Sequence, residues 1–138
     1  MIIADTSGLL AFFNRAEPAH NQVADLVDSD PEPLVVSPFV VAELDYLVST
    51  RHGVDAELRV LDELAGGGWI LTHFEAEDLR TARALIDRYR DQKIGIADAS
   101  LVVLADRFGT RRILTLDQRH FTVLRPMSGG RFSILPAA

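Results

Sequence analysis

Short runs in which nearly every residue is apolar alternate along the chain with longer stretches whose apolar residues recur every three to four positions. Ile2-Ile3-Ala4, Leu34-Val35-Val36, Trp69-Ile70-Leu71 and Arg112-Ile113-Leu114-Thr115-Leu116 are of the first kind. Runs this short without alternation read as strands covered on both faces, the habit of a parallel sheet. Between them the spacing predicts helices over Leu9–Phe13, Glu17–Asp30, Pro38–His52, Asp55–Ala65, Glu75–Tyr89 and, from Gly95, a helix ending at Arg107-Phe108-Gly109. Thr6-Ser7-Gly8 offers a turn and cap for the first, and Ser37-Pro38 a cap with proline at the first helical position. Inward faces are expected at Leu58, Leu61 and Leu64 in one helix and at Leu79, Ala82, Leu85 and Ile86 in another. Gln118 to Phe121 reads as a short helical turn, Pro126 to Gly130 as a loop and Phe132 to Leu135 as an edge strand. Strands alternating with helices imply an α/β fold, with helices on both faces of a mostly parallel sheet of four to five strands.

Four acids interrupt this apolar pattern. Asp5 and Asp117 each end a strand, and parallel strands place their carboxyl ends on one edge, where open α/β sheets bind ligands. Asp98 is the one carboxylate in a helix that is apolar on every side from Ile96 to Leu104, so it is costly there without a partner. Gly95 marks that helix start, which puts Asp98 in the first turn, where the helix dipole favours negative charge. Glu43 lies mid-helix, hemmed by Val40, Val41, Ala42, Leu44 and Leu47, on the helix that begins at the same rim. Gathered in one cleft, like charges at ~4 Å cost about 4 kcal/mol per pair at an effective dielectric near 20. A hard divalent cation relieves this, and all-oxygen donors select Mg²⁺ or Mn²⁺ over zinc. His20, His52, His73 and His120 have no ligand spacing and read as surface or packing residues. Such a site suits phosphodiester chemistry: a metal activates water and steadies charge on phosphate, while a carboxylate orients the water.

Composition narrows the class. The chain has 138 residues, 48% hydrophobic and 25% charged, which suits one globular domain over 1–138. It has no cysteine, which excludes disulfides and thiolate chemistry and fits a cytoplasmic protein. No apolar run approaches the ~20 residues of a membrane span, and no signal peptide is expected. The net charge of −6 divides unevenly: residues 1–70 hold 3 basic and 12 acidic side chains, residues 71–138 hold 11 and 8. Lys93 is the only lysine among the 14 basic residues; arginine suits phosphate through its planar fork.

Read together, Asp5-Thr6-Ser7, Ser37 through Glu43-Leu44, Asp98-Ala99-Ser100-Leu101 with Ala105, and Thr115-Leu116-Asp117 followed by Phe121 resemble the four motifs of PIN-domain ribonucleases, specifically the VapC-type toxins of bacterial toxin–antitoxin pairs. The resemblance spans essentially the whole chain. It implies a three-layer α/β/α PIN-like fold and a metal site of Asp5, Glu43, Asp98 and Asp117, with Asp5 and Asp98 as principal Mg²⁺ ligands. Thr6 or Ser7, with Thr115, would support them through hydroxyls or amides. Ile94 stands where many relatives carry a further acid, and Gln118 and Arg119 where some carry another, which weighs against a second full metal site. The resemblance also implies an endoribonuclease that cuts a structured RNA, a tRNA or ribosomal RNA loop, and so arrests translation. Its partners would be a cognate antitoxin, lying in an apolar groove for which Phe12, Phe13, Val40 and Tyr46 are candidates, and a second copy of the chain. Arg88, Arg90, Lys93, Arg111, Arg112 and Arg119 are candidates near the rim for gripping RNA phosphate.

Other classes fit less well. A receiver-like, metal-binding regulatory domain needs a phosphoacceptor Asp on a middle strand, but Leu34-Val35-Val36 ends in Ser37. A haloacid-dehalogenase-type phosphatase needs Asp-x-Asp after the first strand, and the chain reads Asp5-Thr6-Ser7. A PIN-like scaffold without catalysis tends to lose an acid, and all four are present. No Gly-x-Ser-x-Gly elbow supports a serine hydrolase.

Overall fold

The computed structural model describes residues 1–137. Five strands, β1 (Ile2–Ala4), β2 (Leu34–Val36), β3 (Trp69–Leu71), β4 (Arg112–Leu114) and β5 (Ser133–Leu135), form one sheet in the order β3-β2-β1-β4-β5. All four pairings are parallel. Helices α1 (Thr6–Phe13), α2 (His20–Ser29), α3 (Pro38–His52), α4 (Val54–Ala65), α5 (Ala76–Arg88), α6 (Ile96–Arg107) and α7 (Gln118–Val123) join them. The three-layer α/β/α architecture expected from the alternation is present. No described helix is long and apolar enough to cross a membrane.

The strand order positions the site. The chain lays down β1, β2 and β3 in one direction, then returns past β1 to add β4 and β5. Because parallel crossovers are right-handed, this reversal puts the two sets of connecting helices on opposite faces. It also opens a crevice at the carboxyl ends of β1 and β4, the switch point where such sheets hold ligands. β1, β2 and the α6 segment from Ala99 to Ala105 are buried throughout.

Several elements differ from the sequence expectation. α1 begins at Thr6, three residues before Leu9, because the Asp5 side chain caps it. Gly8 therefore lies inside the helix, where a Cβ would sit 2.6 Å from Leu114 Cγ and 2.9 Å from the Leu114 carbonyl oxygen. Glycine is required because the first turn of α1 rests directly on the end of β4. α4 buries Val60 and Leu64, while Leu58 and Leu61 are exposed. α5 buries Ala82 and Leu85 and leaves Leu79 exposed. Each of these helices lies against a neighbouring helix along one line, so the outer part of its apolar stripe stays in solvent.

Candidate active site

Asp5 follows the last residue of β1 and is turned inward, 6% exposed. One carboxylate oxygen, Oδ1, accepts from the Thr6 amide at 2.8 Å. The other accepts from the Thr115 hydroxyl at 2.8 Å and from the Ser7 hydroxyl at 3.3 Å. Both hydroxyl oxygens are themselves fixed by the loop after β4: the Leu116 amide donates to Ser7 Oγ and the Asp117 amide to Thr115 Oγ1, each at 2.9 Å. A hydroxyl that accepts from an amide keeps its own proton to give. The loop thus aims two hydroxyl protons at Asp5. Thr6 contributes through its amide; its Oγ1 is buried without a hydrogen-bond partner among the described residues.

Asp98 is the third residue of α6, whose N-cap is Gly95. Burial first, then the Asp5 carboxylate, with Asp117 and Glu43 adding, pushes its carboxyl up to about 6, against the pull of His120. Burial also raises the Asp5 carboxyl, partly offset by its three hydrogen bonds, and Glu43 raises it further. The four acids therefore feel one another across a single crevice. Glu43 is exposed rather than hemmed in, because α3 buries Val40, Leu44 and Val48 and leaves the flank between them facing the crevice. Glu43 lines a hollow there with Phe39, Gly95 and Asp98.

A buried hydroxyl chain fixes the two helices that carry Glu43 and Asp98. The Phe39 amide donates to Ser37 Oγ at 3.1 Å, Ser37 and Ser100 hydroxyls lie 2.7 Å apart, and Ser100 donates to the Ala97 carbonyl at 2.6 Å. With the Ser100 proton committed to Ala97, Ser37 must be the donor to Ser100, so every member is satisfied.

His120 requires a correction: it is part of the site, not an ordinary surface residue. Its Nδ1 lies 3.3 Å from Asp98 Oδ2 and 3.2 Å from Asp117 Oδ2. Asp117 turns its other oxygen to the N-terminus of α7, accepting from the His120 amide at 3.5 Å. An acid three residues before a histidine at a helix start was the signal available in the sequence. His20 behaves as expected, its Nδ1 2.8 Å from the Ala11 carbonyl.

The site's donors suit a hard cation. Among the described residues Asp5, Glu43, Asp98 and Asp117 make no ion pair with arginine or lysine, and His120 is the one basic side chain within ion-pair distance of any of them. No three acidic or imidazole groups among the described residues form a ready-made metal cage. That is compatible with the expectation of Asp5 and Asp98 as principal ligands, the other acids acting through water, which is how Mg²⁺ is usually held.

The basic candidates separate into two groups. Arg119 lines a hollow with Ser7, Leu116, Asp117 and Gln118. Lys93 is exposed two residues before the α6 cap, in left-handed backbone; Arg88 and Arg90 precede it, with Arg90 paired to Asp87. Arg111 and Arg112 are not near the rim: they stand at the amino end of β4, where Arg112 pairs with Asp30. A groove of about 680 Å³ between α1 and α4 is lined by Leu10, Phe12, Phe13, Val48, Ala56 and Val60, among others. Phe12 and Phe13 are thus groove residues as expected, whereas Val40 is core and Tyr46 is 59% exposed elsewhere.

A family model described as the PIN domain matches residues 2–125. Ribonuclease VapC26 of Mycobacterium tuberculosis (strain ATCC 25618 / H37Rv) is 60% identical over 135 residues, 98% of this chain and 100% of that protein. Among solved structures, VapC20 of Mycobacterium tuberculosis, a sarcin-ricin loop cleaving toxin, superposes with a TM-score of 0.79 at 21% identity, covering 85% of this chain and 90% of that one. A toxin–antitoxin complex from Klebsiella pneumoniae superposes with a TM-score of 0.69 at 16% identity, covering 90% and 92%. With the sheet order, the crevice of acids and these likenesses in agreement, the chain belongs to the PIN domain family and, within it, to the VapC ribonucleases.

Proposed function

We propose that the protein is the toxin of a toxin–antitoxin pair, a Mg²⁺- or Mn²⁺-dependent endoribonuclease that hydrolyses phosphodiester bonds of a structured RNA, a tRNA or ribosomal RNA loop, and so inhibits translation. The observation that carries this reading is the convergence of Asp5, Glu43, Asp98 and Asp117 at the switch point, with Asp98 raised to about 6 by burial and by the other three. A fold that holds no cation has no use for that repulsion. The name of the M. tuberculosis relative supports the ribonuclease assignment.

In this reading Asp5 and Asp98 hold the divalent ion, which when bound supplies an acidified water and a positive charge beside the phosphate. Ser7, Thr115 and the Thr6 amide keep Asp5 in one rotamer. Glu43, exposed and with no side-chain hydrogen bond among the described residues, accepts the proton of the attacking water. The water oxygen forms a bond to phosphorus, the bond from phosphorus to the departing ribose oxygen breaks, and that oxygen takes a proton from solvent. Arg119 and Lys93 steady the flanking phosphates. The antitoxin covers the protein by laying an apolar segment in the groove beside Phe12 and Phe13, and the free toxin forms a homodimer.

Purified protein incubated with total RNA should cleave it with Mg²⁺ or Mn²⁺ and stop with EDTA. Mapped RNA ends after brief expression in cells identify the substrate loop. Cleavage that persists in EDTA, or in Asp5→Asn, refutes the assignment.

A further inference from the structure

The hollow beside Glu43 and Asp98 has an apolar wall that the proposed reaction leaves without a role. We propose that this hollow is a nucleobase subsite, in which one unstacked base of the RNA, next to the phosphate being cut, lies against the Phe39 ring. The inference rests on the nuclease reading above and names the part of the substrate that fills this space. Phe39, Ala42, Ile96 and Ala97 give the hollow its apolar side, and Glu43 and Asp98 its acidic side. Its volume of about 350 Å³ is near the lower end of small-molecule sites, about 300–1,000 Å³, so it takes a single ring system and not a stacked pair. No arginine or lysine lines it among the described residues. The two carboxylates repel phosphate, so the uncharged part of a nucleotide is what suits it. Phe39 is half-buried, yet the half-buried apolar side chains packed on the core include Phe74, Ile96 and Ala97 and not Phe39. Its ring is steadied by a chain of contacts instead. Phe74 meets it nearly at a right angle, 89°, with centroids 5.2 Å apart. Arg107 lies over Phe74 at 5.6 Å and is fixed by Asp78 at 2.9 Å and the His73 carbonyl at 3.0 Å. An aromatic ring set before the substrate arrives is what a splayed RNA base stacks on. Gly95 completes the rim: its backbone is extended (φ −98°, ψ −177°), and a Cβ there would meet no atom within 4 Å, so the space beside it is open.

The test is a double-mutant cycle between the ring and the base. The probe is a synthetic RNA hairpin with all four bases in its loop, together with a series in which one loop base at a time is replaced by an abasic ribose. In wild type, one removal next to the cut should lower kcat/KM roughly five- to 150-fold, the range of a single base–aromatic stack. Phe39→Ala should lose as much on the intact hairpin and nothing further on that abasic one. Phe39→Trp should restore the dependence on the base, whereas Phe39→Leu, which keeps apolar bulk without a π face, should not. Gly95→Leu, which fills the hollow from unstrained backbone, should behave as Phe39→Ala does while keeping the wild-type melting temperature. Losses that simply multiply, rescue by Leu as good as by Trp, or a folded Gly95→Leu that still senses the base would overturn the proposal and leave Phe39 as scaffold or a protein contact. Where a hairpin is not cut, the same cycle is read from its affinity in EDTA by fluorescence anisotropy, and affinity indifferent to every base removal overturns the subsite. Wild type that cuts neither hairpin nor total RNA sinks the nuclease reading alone.

Discussion

The two ends of the same parallel strands treat their acids in opposite ways. At the amino edge, Asp30 pairs with Arg112 and accepts from the Glu32 amide at 2.9 Å, while Glu32 takes the Met1 amino group at 2.6 Å. Asp30 is held below its ordinary carboxyl value, chiefly by the Arg112 hydrogen bond. At the carboxyl edge, Asp5 and Asp98 are raised above theirs, chiefly by burial. Hydrogen bonds from hydroxyls and one amide hold Asp5 still without neutralising it. The chain can evidently pair acids with cations where the fold alone is at stake. Gathering acids without an arginine or lysine partner among the described residues at the other edge, with Asp5 and Asp98 raised, opposes folding, and the proposed divalent ion would offset that cost.

The largest expected break between the edges is catalytic. Asp98→Asn should lower RNA cleavage on the order of 10³-fold, the several kcal/mol attributed to a metal-held phosphate converted to rate. Yet the same variant should raise the stability of the metal-free protein. The rise from 3.8 to about 6, discounted for the side chain's partial exposure, corresponds to about 1–2 kcal/mol. Asp30→Asn should do the reverse, lowering the melting temperature and sparing cleavage. Loss of stability in Asp98→Asn, read by urea unfolding in EDTA, would remove the contrast.

Gly8→Ala sharpens the comparison from the packing side. Alanine favours a helix over glycine by up to ~1 kcal/mol, but its Cβ would meet Leu114 Cγ at 2.6 Å and the Leu114 carbonyl at 2.9 Å. Overpacking of about 1–3 kcal/mol should win. The first turn of α1 would lift off β4, taking Ser7 from the Leu116 amide. Both the melting temperature and cleavage should fall, and a stabilised Gly8→Ala would show that the close approach is not needed.

How much of this was legible in the sequence follows from what each residue depends on. Asp5 and Asp117 could be read, because an acid closing an apolar run is a local pattern and parallel strands send their ends to one edge, although β4 stops at Leu114 and Asp117 caps α7 instead of ending the strand. Asp98 could be read because a lone acid in an all-apolar helix is anomalous wherever the helix packs. That β4 lies beside β1, not at the far edge, is a property of strand order, which no local pattern encodes. Glu43 was identified, but its exposure depends on which line of α3 is buried. The same ambiguity misdirected Leu58, Leu61, Leu79 and Tyr46, all of which are exposed. His120 was missed because its meaning arises only when a six-residue helix docks against α6. Charge alone points Arg111 and Arg112 at the rim, but their position at the start of β4 puts them at the amino edge.

The pH response should differ in sign between the edges. Asp98, raised in the folded protein, contributes stability that is present below 3.8 and lost as pH rises through about 6. Asp30, lowered in the folded protein, contributes stability present above the ordinary carboxyl range and lost as pH falls through its depressed value. Metal-free protein should therefore gain from the first group and lose from the second on acidification. Asp98→Asn should remove the decline between pH 4 and pH 6, a window set by the two values for that residue. Mg²⁺ affinity should rise from pH 5 to pH 7, around the same value, and binding at pH 6 should release protons, seen as a dependence of the calorimetric heat on buffer ionisation enthalpy. Heat independent of buffer would mean that Asp98 is already ionised there.

The smallest expected effect separates the arginines. Arg119 stands at the carboxyl edge beside Asp117, and Arg112 is committed to Asp30 at the other. A phosphate contact removed from an RNA interface lowers the dependence of log affinity on log salt by about 1. Arg119→Ala should show that loss, with binding weakened alike for all RNA sequences, when a non-cleaving Asp5→Asn background is titrated with RNA at several salt concentrations. Arg112→Ala should leave the slope unchanged and instead lower stability through the unpaired Asp30. A changed slope for Arg112→Ala would place RNA across the amino edge and dissolve the division of labour between the two ends of the sheet.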